Sequence, residues 1–205
     1  MTVSGLVLYG NRESGHSYKV KLALTLLGLE HEYRPVDLTV DRSNRPPEFR
    51  EVSRYGEVPV LIMNGEPLVQ SNAILMHLAR TTGRLRGECD PDRTVEWMFW
   101  EANRITFSIS NLRFARQFAK DTPADVIAWL QMRAKDDLDR LDKEFRAKDE
   151  FLLGSTISIA DIACCSYLFW PEQTGLDYSE WPHVSSWLDR IRSVPGWAHP
   201  YALMS

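Results

Sequence analysis

Ser14-Gly15-His16-Ser17-Tyr18-Lys19-Val20-Lys21-Leu22-Ala23-Leu24 follows the short apolar run Leu6-Val7-Leu8-Tyr9. The order places a hydroxyl where a strand ends and a helix begins. The start of a helix carries unpaired N–H groups and partial positive charge, so it favours an anion. Ser14 can there meet a phosphate, a carboxylate or a thiolate. A Ser before an apolar helix is also an ordinary N-cap. The capping box would need Glu or Gln three residues on, and Ser17 stands there instead.

Two further stretches carry chemistry. Val58-Pro59 opens an apolar run. A trans Pro at a strand start is the plain reading, since Pro cannot donate to a sheet ladder. A cis bond would instead turn the Val58 N–H and C=O outward, ready to pair with an extended peptide. Gln70-Ser71 stands where a strand gives way to a helix. Ser71 either caps that helix or offers its hydroxyl and N–H to a carboxylate. His16 reads as a polar loop histidine without a nucleophilic or metal partner, and Tyr9 as a half-buried strand tyrosine that could supply a phenol. Cys164 and Cys165, within an apolar helix, read as inert thiols.

The elements that position these residues fall into two groups. Residues 3–10 read as a buried strand. Residues 15–28 form a helix through Val20, Ala23, Leu24 and Leu27, stopped by Gly28. His31 to Leu38 is a second strand, followed by a polar loop, Thr39 to Tyr55, with a short helix around Pro47 to Arg50. Val58 to Met63, Asn64-Gly65 and Pro67 to Gln70 spell a hairpin, because Asn-Gly suits its tight turn. Ser71 to Thr82 is helical again, with Gly83 after it. The order is β-α-β, then β-β-α.

Beyond the polar connector Arg84 to Asp92 the strand pattern disappears. Thr94 to Phe118 reads as one long aromatic-rich helix, and Ala124 to Lys148 as an amphipathic one whose outer face alternates in charge. Ser158-Ile159-Ala160-Asp161 resembles a capping box opening a buried helix. Pro182 to about Val194 forms the last helix, with Pro in its first turn. The fold class is therefore α/β followed by all-α: residues 1–83, a linker at 84–92, and an all-helical domain over 93–205. A ligand cleft is expected at such a seam.

Composition narrows the function classes. The 205 residues are 44% hydrophobic, with a net charge of −4 and mixed signs. No cluster of Lys and Arg suggests nucleic acid. No apolar run is long enough to span a bilayer, and the N-terminus does not read as a secretory signal. The three cysteines, Cys89, Cys164 and Cys165, lack metal-ligand spacing with His and fit free thiols in a reducing compartment. The expectation is a cytoplasmic chain without a metal, a membrane or a nucleic-acid partner.

Taken in order, these stretches resemble the cytosolic glutathione transferase family over nearly the whole chain. Ser14 to Leu22 is similar to the active-site loop and first helix of serine-type members (theta-like, zeta-like or bacterial), although Asn is commoner than His16 there. Gly56-Glu57-Val58-Pro59-Val60-Leu61 matches the stretch around the family's cis-proline. Leu68-Val69-Gln70-Ser71-Asn72-Ala73-Ile74 resembles the segment that holds the γ-glutamyl end of glutathione, with Gln70 where Glu is frequent. Gly154 through Ile162, Trp181 to Val184 and Pro195-Gly196-Trp197 are similar to the helical domain's folding motif and C-terminal stretch.

The resemblance implies a thioredoxin-like βαββα domain, glutathione as co-substrate, and roles for single residues. Ser14 would donate its hydroxyl hydrogen to the glutathione sulfur and favour the thiolate. Val58, beside Pro59, would pair with the cysteinyl backbone. Gln70 and Ser71 would hold the γ-glutamyl end, and Arg45 would meet the glycyl carboxylate. Phe107, Asn111 and Phe114, with Tyr9, are candidates to line the pocket for an apolar electrophile. No Cys stands at the position of Ser14, which disfavours thioltransferase chemistry by a protein thiol. Tyr9 lies near the tyrosine-type phenol position, but its spacing to Lys21 fits the serine type better. The implied activity is conjugation of the glutathione thiol to small apolar electrophiles by a homodimer. Alternatives on the same fold are glutathione-dependent disulfide or peroxide reduction, isomerisation, or a non-catalytic binding or regulatory module.

Overall fold

The computed structural model describes residues 5–88, 91–145 and 150–205. The chain divides into two compact units, Met1–Arg84 joined by Pro195–Ser205, and Leu85–Val194.

Over the described residues up to Arg84, the first unit is built on four strands and three α-helices. β1 (Leu6–Gly10) leads to α1 (Gly15–Leu27), then β2 (His31–Pro35), α2 (Pro47–Val52), β3 (Val60–Met63), β4 (Glu66–Val69) and α3 (Ser71–Thr82). The sheet order is β2-β1-β3-β4. β1 and β2 run parallel, while β3 is antiparallel to both β1 and β4. Pro35 and Pro67 lie on the two edge strands, where a missing N–H does no harm. Asn64 (φ 53°) and Gly65 (φ 82°) both take positive φ, as the tight hairpin turn demands. β2 is shorter than the 31–38 expected: Asp37 bends the chain by accepting from the Thr39 N–H at 2.8 Å. Val3 and Ser4, expected at the start of β1, lie outside the described residues.

Side chains alternate across β1. Tyr9 joins Val36, Phe49 and Val60 in one core cluster, with Val7, Val58 and Val69 packed against it. Leu6 and Leu8, equally buried, point to the opposite face. α1 ends at Gly28, whose φ of 68° lets its N–H reach back to the Leu24 and Thr25 carbonyls. α3 ends the same way at Gly83.

The C-terminal residues 195–205, placed with the helical domain from sequence, return to the first unit. The Tyr18 hydroxyl donates to the Ala198 carbonyl at 3.0 Å, and the Tyr201 hydroxyl to Glu13 at 2.7 Å. The Arg12 guanidinium lies 4.9 Å from the Tyr201 ring centre. These contacts tie the segment to α1 and to the loop before it, which has no counterpart in local periodicity.

The second unit is helical: α4 (Pro91–Asn103), α5 (Asn111–Gln117), α6 (Ala124–Phe145), α7 (Ile159–Cys165), α8 (Pro171–Thr174) and α9 (Pro182–Arg192). A last short helix, α10 (Pro200–Leu203), belongs to the returning segment. The single helix expected over 94–118 is broken by a wide π turn at Thr106–Ser110. Two hydroxyls compete for the backbone there, Ser108 donating to the Arg104 carbonyl at 2.9 Å and Ser110 to the Thr106 carbonyl at 2.7 Å. The single Ser108 hydroxyl hydrogen is shared with the buried Asp137 carboxylate, 2.6 Å from Ser108 Oγ, and Arg104 donates to the same carboxylate at 2.6 Å. α7 starts as the motif predicts. Ser158 and Asp161 form a reciprocal capping box, and the Trp187 ring nitrogen also donates to Asp161. Cys164 and Cys165 are buried on this helix as free thiols. Cys89 and residues 146–148 of the expected second helix lie outside the described residues.

Candidate functional site

A cavity of about 90 Å³ opens on the first unit, lined by His16, Ser53, Tyr55, Glu57, Val58, Pro59, Val69, Gln70 and Ser71. It brings together Val58, Pro59, Gln70 and Ser71, each drawn from the sequence, and adds His16. The Val58-Pro59 bond is cis, the sharper of the two readings. The loop before it is closed by Ser53, whose hydroxyl donates to the Glu57 carbonyl at 2.8 Å and accepts from the Glu57 N–H at 2.9 Å.

At the other wall, β4 runs through Gln70 into α3. The N-cap of α3 is Gln70, not Ser71, and no side chain caps it. Ser71 is the first helical residue, only 8% exposed, and its Oγ lies 3.4 Å from Nδ1 of His16. The hydroxyl is thus not consumed as a cap, and Gln70 and Ser71 bring the start of α3 to the cavity wall. Gln70 holds φ 70°, ψ 110°, a backbone region that a side chain rarely adopts. Such strain costs about 1–3 kcal/mol and collects at binding sites. Gln70→Gly is therefore expected to raise stability by about 1 kcal/mol, the strain relieved exceeding the roughly 0.5–1 kcal/mol entropy cost of Gly. Denaturant unfolding measures this.

Ser14 is the N-cap of α1, 9% exposed, and its Oγ accepts from the Ser17 N–H at 3.1 Å. A hydroxyl has one hydrogen and two acceptor positions. Capping uses an acceptor position, and among the described residues no group accepts the hydroxyl hydrogen. The cap role thus leaves the hydroxyl hydrogen available. The loop leading to it is fixed by Asn11, which donates to the Val36 carbonyl at 2.8 Å and accepts from the Glu13 N–H at 2.8 Å. Ser17 is fully buried and accepts from the Asn11 N–H at 3.2 Å. Ser14 is not among the residues lining the cavity.

Two expected site residues stand elsewhere. Tyr9, expected in the electrophile pocket, is 4% exposed. Its ring packs on Phe49 at 5.6 Å and its hydroxyl accepts from Arg34 at 2.8 Å. Strand alternation turns it into the core, so it is a packing residue. Arg45, expected at a carboxylate, is 9% exposed and donates from Nη1 to the Gly56 carbonyl at 2.6 Å. It braces the loop that carries Val58 and does not line the cavity. On the second unit, Phe107 is 38% and Phe114 57% exposed. Phe107 meets Trp129 edge-on at 5.6 Å, and the exposed Asn111 side chain donates to the Phe107 carbonyl at 2.7 Å. Among the described residues, no group of three or more His, Cys, Asp or Glu could hold a metal ion, and no helix is long and apolar enough to cross a membrane.

His16, Asn11 and Ser53 were not singled out as site residues from sequence. For His16 a signal existed: it is the second residue of the helix that Ser14 opens, beside the anion-favouring end.

Residues 4–80 match the model of the glutathione S-transferase N-terminal domain, and residues 115–195 that of the C-terminal domain. A crystal structure of a glutathione S-transferase from Pseudomonas fluorescens Pf-5 is 32% identical, with a TM-score of 0.85 over 96% of this chain and 99% of that one. The chain belongs to the glutathione S-transferase family. Its first unit is the family's thioredoxin-like domain, and its second the helical C-terminal domain. A glutathione transferase family member from Pseudomonas fluorescens Pf-5, crystallised with two glutathione bound, is 26% identical, with a TM-score of 0.80 over 94% of this chain and 90% of that one. Among curated relatives, the disulfide-bond oxidoreductase YfcG of Escherichia coli K12 is 29% identical over 186 residues, 85% of this chain and 86% of its own.

Proposed function

We propose that this transferase-family chain binds glutathione in the cavity beside cis Val58-Pro59 and activates its thiol with Ser14 for addition to small apolar electrophiles. The observation that carries the reading is the state of Ser14: it caps α1 and still has a hydroxyl hydrogen to give, at a helix end that favours negative charge. A donor aimed at sulfur stabilises the thiolate over the thiol, and the thiolate is the nucleophile. The sulfur lone pair then forms the C–S bond while the leaving group departs with the electrons of its own bond. Ser14 keeps its proton throughout.

Val58 presents backbone groups to the cysteinyl peptide, and Ser71 and Gln70 take the γ-glutamyl end. Ser71→Ala is expected to raise KM for glutathione about ten- to a hundredfold with kcat at saturation nearly unchanged, because the lost hydrogen bond to a charged group contributes about 1.5–3 kcal/mol. Steady-state kinetics at fixed electrophile measure the split, and equal KM values would remove Ser71 from the binding role. Phe107, Asn111 and Phe114 are the proposed electrophile-facing residues. A homodimer in the cytoplasm is the proposed working state.

A second reading, glutathione-dependent disulfide reduction, is favoured by the likeness to YfcG. It uses the same thiolate against a sulfur in place of a carbon. Retention on glutathione resin, followed by turnover of an aromatic halide against a small disulfide, separates the two. Turnover of the halide supports conjugation, turnover of the disulfide alone supports reduction, and binding with neither indicates a non-catalytic module.

A further inference from the structure

The cavity beside cis Val58-Pro59 has neither Lys nor Arg among its described lining residues, and it does have an acid, Glu57. Glu57 is drawn toward Arg42 at 3.7 Å, an exposed pair. A carboxylate entering this cavity is therefore received by the α3 helix start, by the Ser71 hydroxyl and by one group that can carry positive charge, the His16 imidazole.

His16 is fixed where it can do so. Its Nδ1 lies 3.4 Å from Ser71 Oγ, joining the first turns of α1 and α3. One turn along α1 a second pair repeats the join: the fully buried Lys19 donates to the Asn72 side-chain oxygen at 2.8 Å. The two pairs hold the helix starts in register.

The direction of the His16–Ser71 contact follows the imidazole's protonation: a neutral ring can accept or donate at Nδ1 according to its tautomer, whereas the protonated ring can only donate. With a neutral imidazole whose hydrogen is on Nε2, Nδ1 accepts and the Ser71 hydrogen points into the ring. With a protonated imidazole, Nδ1–H donates to Ser71 Oγ, and the Ser71 hydrogen must turn away to another acceptor. Protonation of His16 therefore locks the ring as a donor, keeps the Ser71 hydrogen available for a ligand carboxylate and places a cation beside it.

We propose that His16 and Ser71 act together as a proton-gated receptor for the γ-glutamyl carboxylate, so that glutathione binding takes up a proton at His16. This rests on the glutathione reading above and adds a residue that this chain has where Asn is commoner. Titratable or charged groups near His16 include Lys19 on α1, Arg12 and Glu13 in the preceding loop, Tyr201 packed on that loop, and Tyr55 and Glu57 across the cavity. The first turn of α3 brings no acid.

S-methylglutathione tests the proposal, because its blocked sulfur removes thiol ionisation from the titration. Calorimetric affinity for the native protein should fall about tenfold between about pH 6 and about pH 8, and binding near neutral pH should show proton uptake in buffers of different ionisation enthalpy. His16→Asn should bind with a flat pH profile and no uptake. NMR of the native protein should show the His16 pKa rising on saturation, which needs no variant. A flat profile in the native protein, or a slope and uptake that persist in His16→Asn, overturns the proposal and leaves the glutathione reading standing. Absence of S-methylglutathione binding at every pH overturns both.

Discussion

Ser14→Ala is expected to lower kcat for conjugation about a hundredfold or more while leaving glutathione affinity within several-fold. Removing a single donor aimed at developing or resident negative charge typically costs about 10²–10³ in rate. The hydroxyl would touch only the sulfur, so the peptide contacts at Val58 and Ser71 survive its loss. The same change removes the N-cap of α1, worth about 1 kcal/mol, because the Ser17 N–H loses its 3.1 Å acceptor. Ser14→Gly separates the effects: glycine is tolerated at N-caps at a cost of only a few tenths of a kcal/mol. Both variants should lose activity alike, with Ala the less stable. An Ala variant of native rate would move the activation to Ser17, His16 or the backbone donors of α1.

The second large effect concerns stability. The Asp161 carboxylate is buried and accepts from four donors. They are the Leu152 N–H at 2.8 Å, the Trp187 ring N–H at 2.9 Å, the Ser158 N–H at 2.9 Å and the Ser158 hydroxyl at 2.6 Å. Burial pushes its pKa up, and these hydrogen bonds offset only part of that rise. Asp161→Ala strands the donors in a dry interior, at about 1–3 kcal/mol for each group left unsatisfied. A loss of about 3 kcal/mol or more is expected, lowering Tm by roughly 6–12 °C. Thermal unfolding measures it. A Tm within a degree or two of the native value would show that water replaces the carboxylate and that α7 does not depend on this network.

What was legible in the sequence was whatever local chemistry decides. Asn64-Gly65 fixed the hairpin turn because few residues accept positive φ in succession. Gly28 and Gly83 marked helix ends for the same reason. Ser158 and Asp161 announced their helix start because the reciprocal bonds span three residues. What was not legible depended on partners far along the chain. The π turn at 106–110 is tied to Asp137, a residue on another helix. Residues 195–205 turn back because Tyr18 and Glu13 hold them, contacts separated by about the whole length of the chain. Tyr9 is turned into the core by a one-residue alternation that motif spacing does not resolve. The charge of Arg45 is visible in sequence, whereas its bond to the Gly56 carbonyl is not. His16 stands alone in sequence, and only the join of α1 to α3 supplies Ser71 beside it.

The ionisation of bound glutathione, followed by thiolate ultraviolet absorbance across a pH titration of the saturated protein, tests the central claim most directly. The thiol pKa should lie at least about one unit below that of free glutathione in the native protein, about 1.4 kcal/mol of preference for the thiolate, and should return most of the way in Ser14→Ala. A bound thiol that titrates like the free peptide, or a lowered value that Ser14→Ala leaves in place, would contradict the assignment of Ser14 as the group that activates the sulfur.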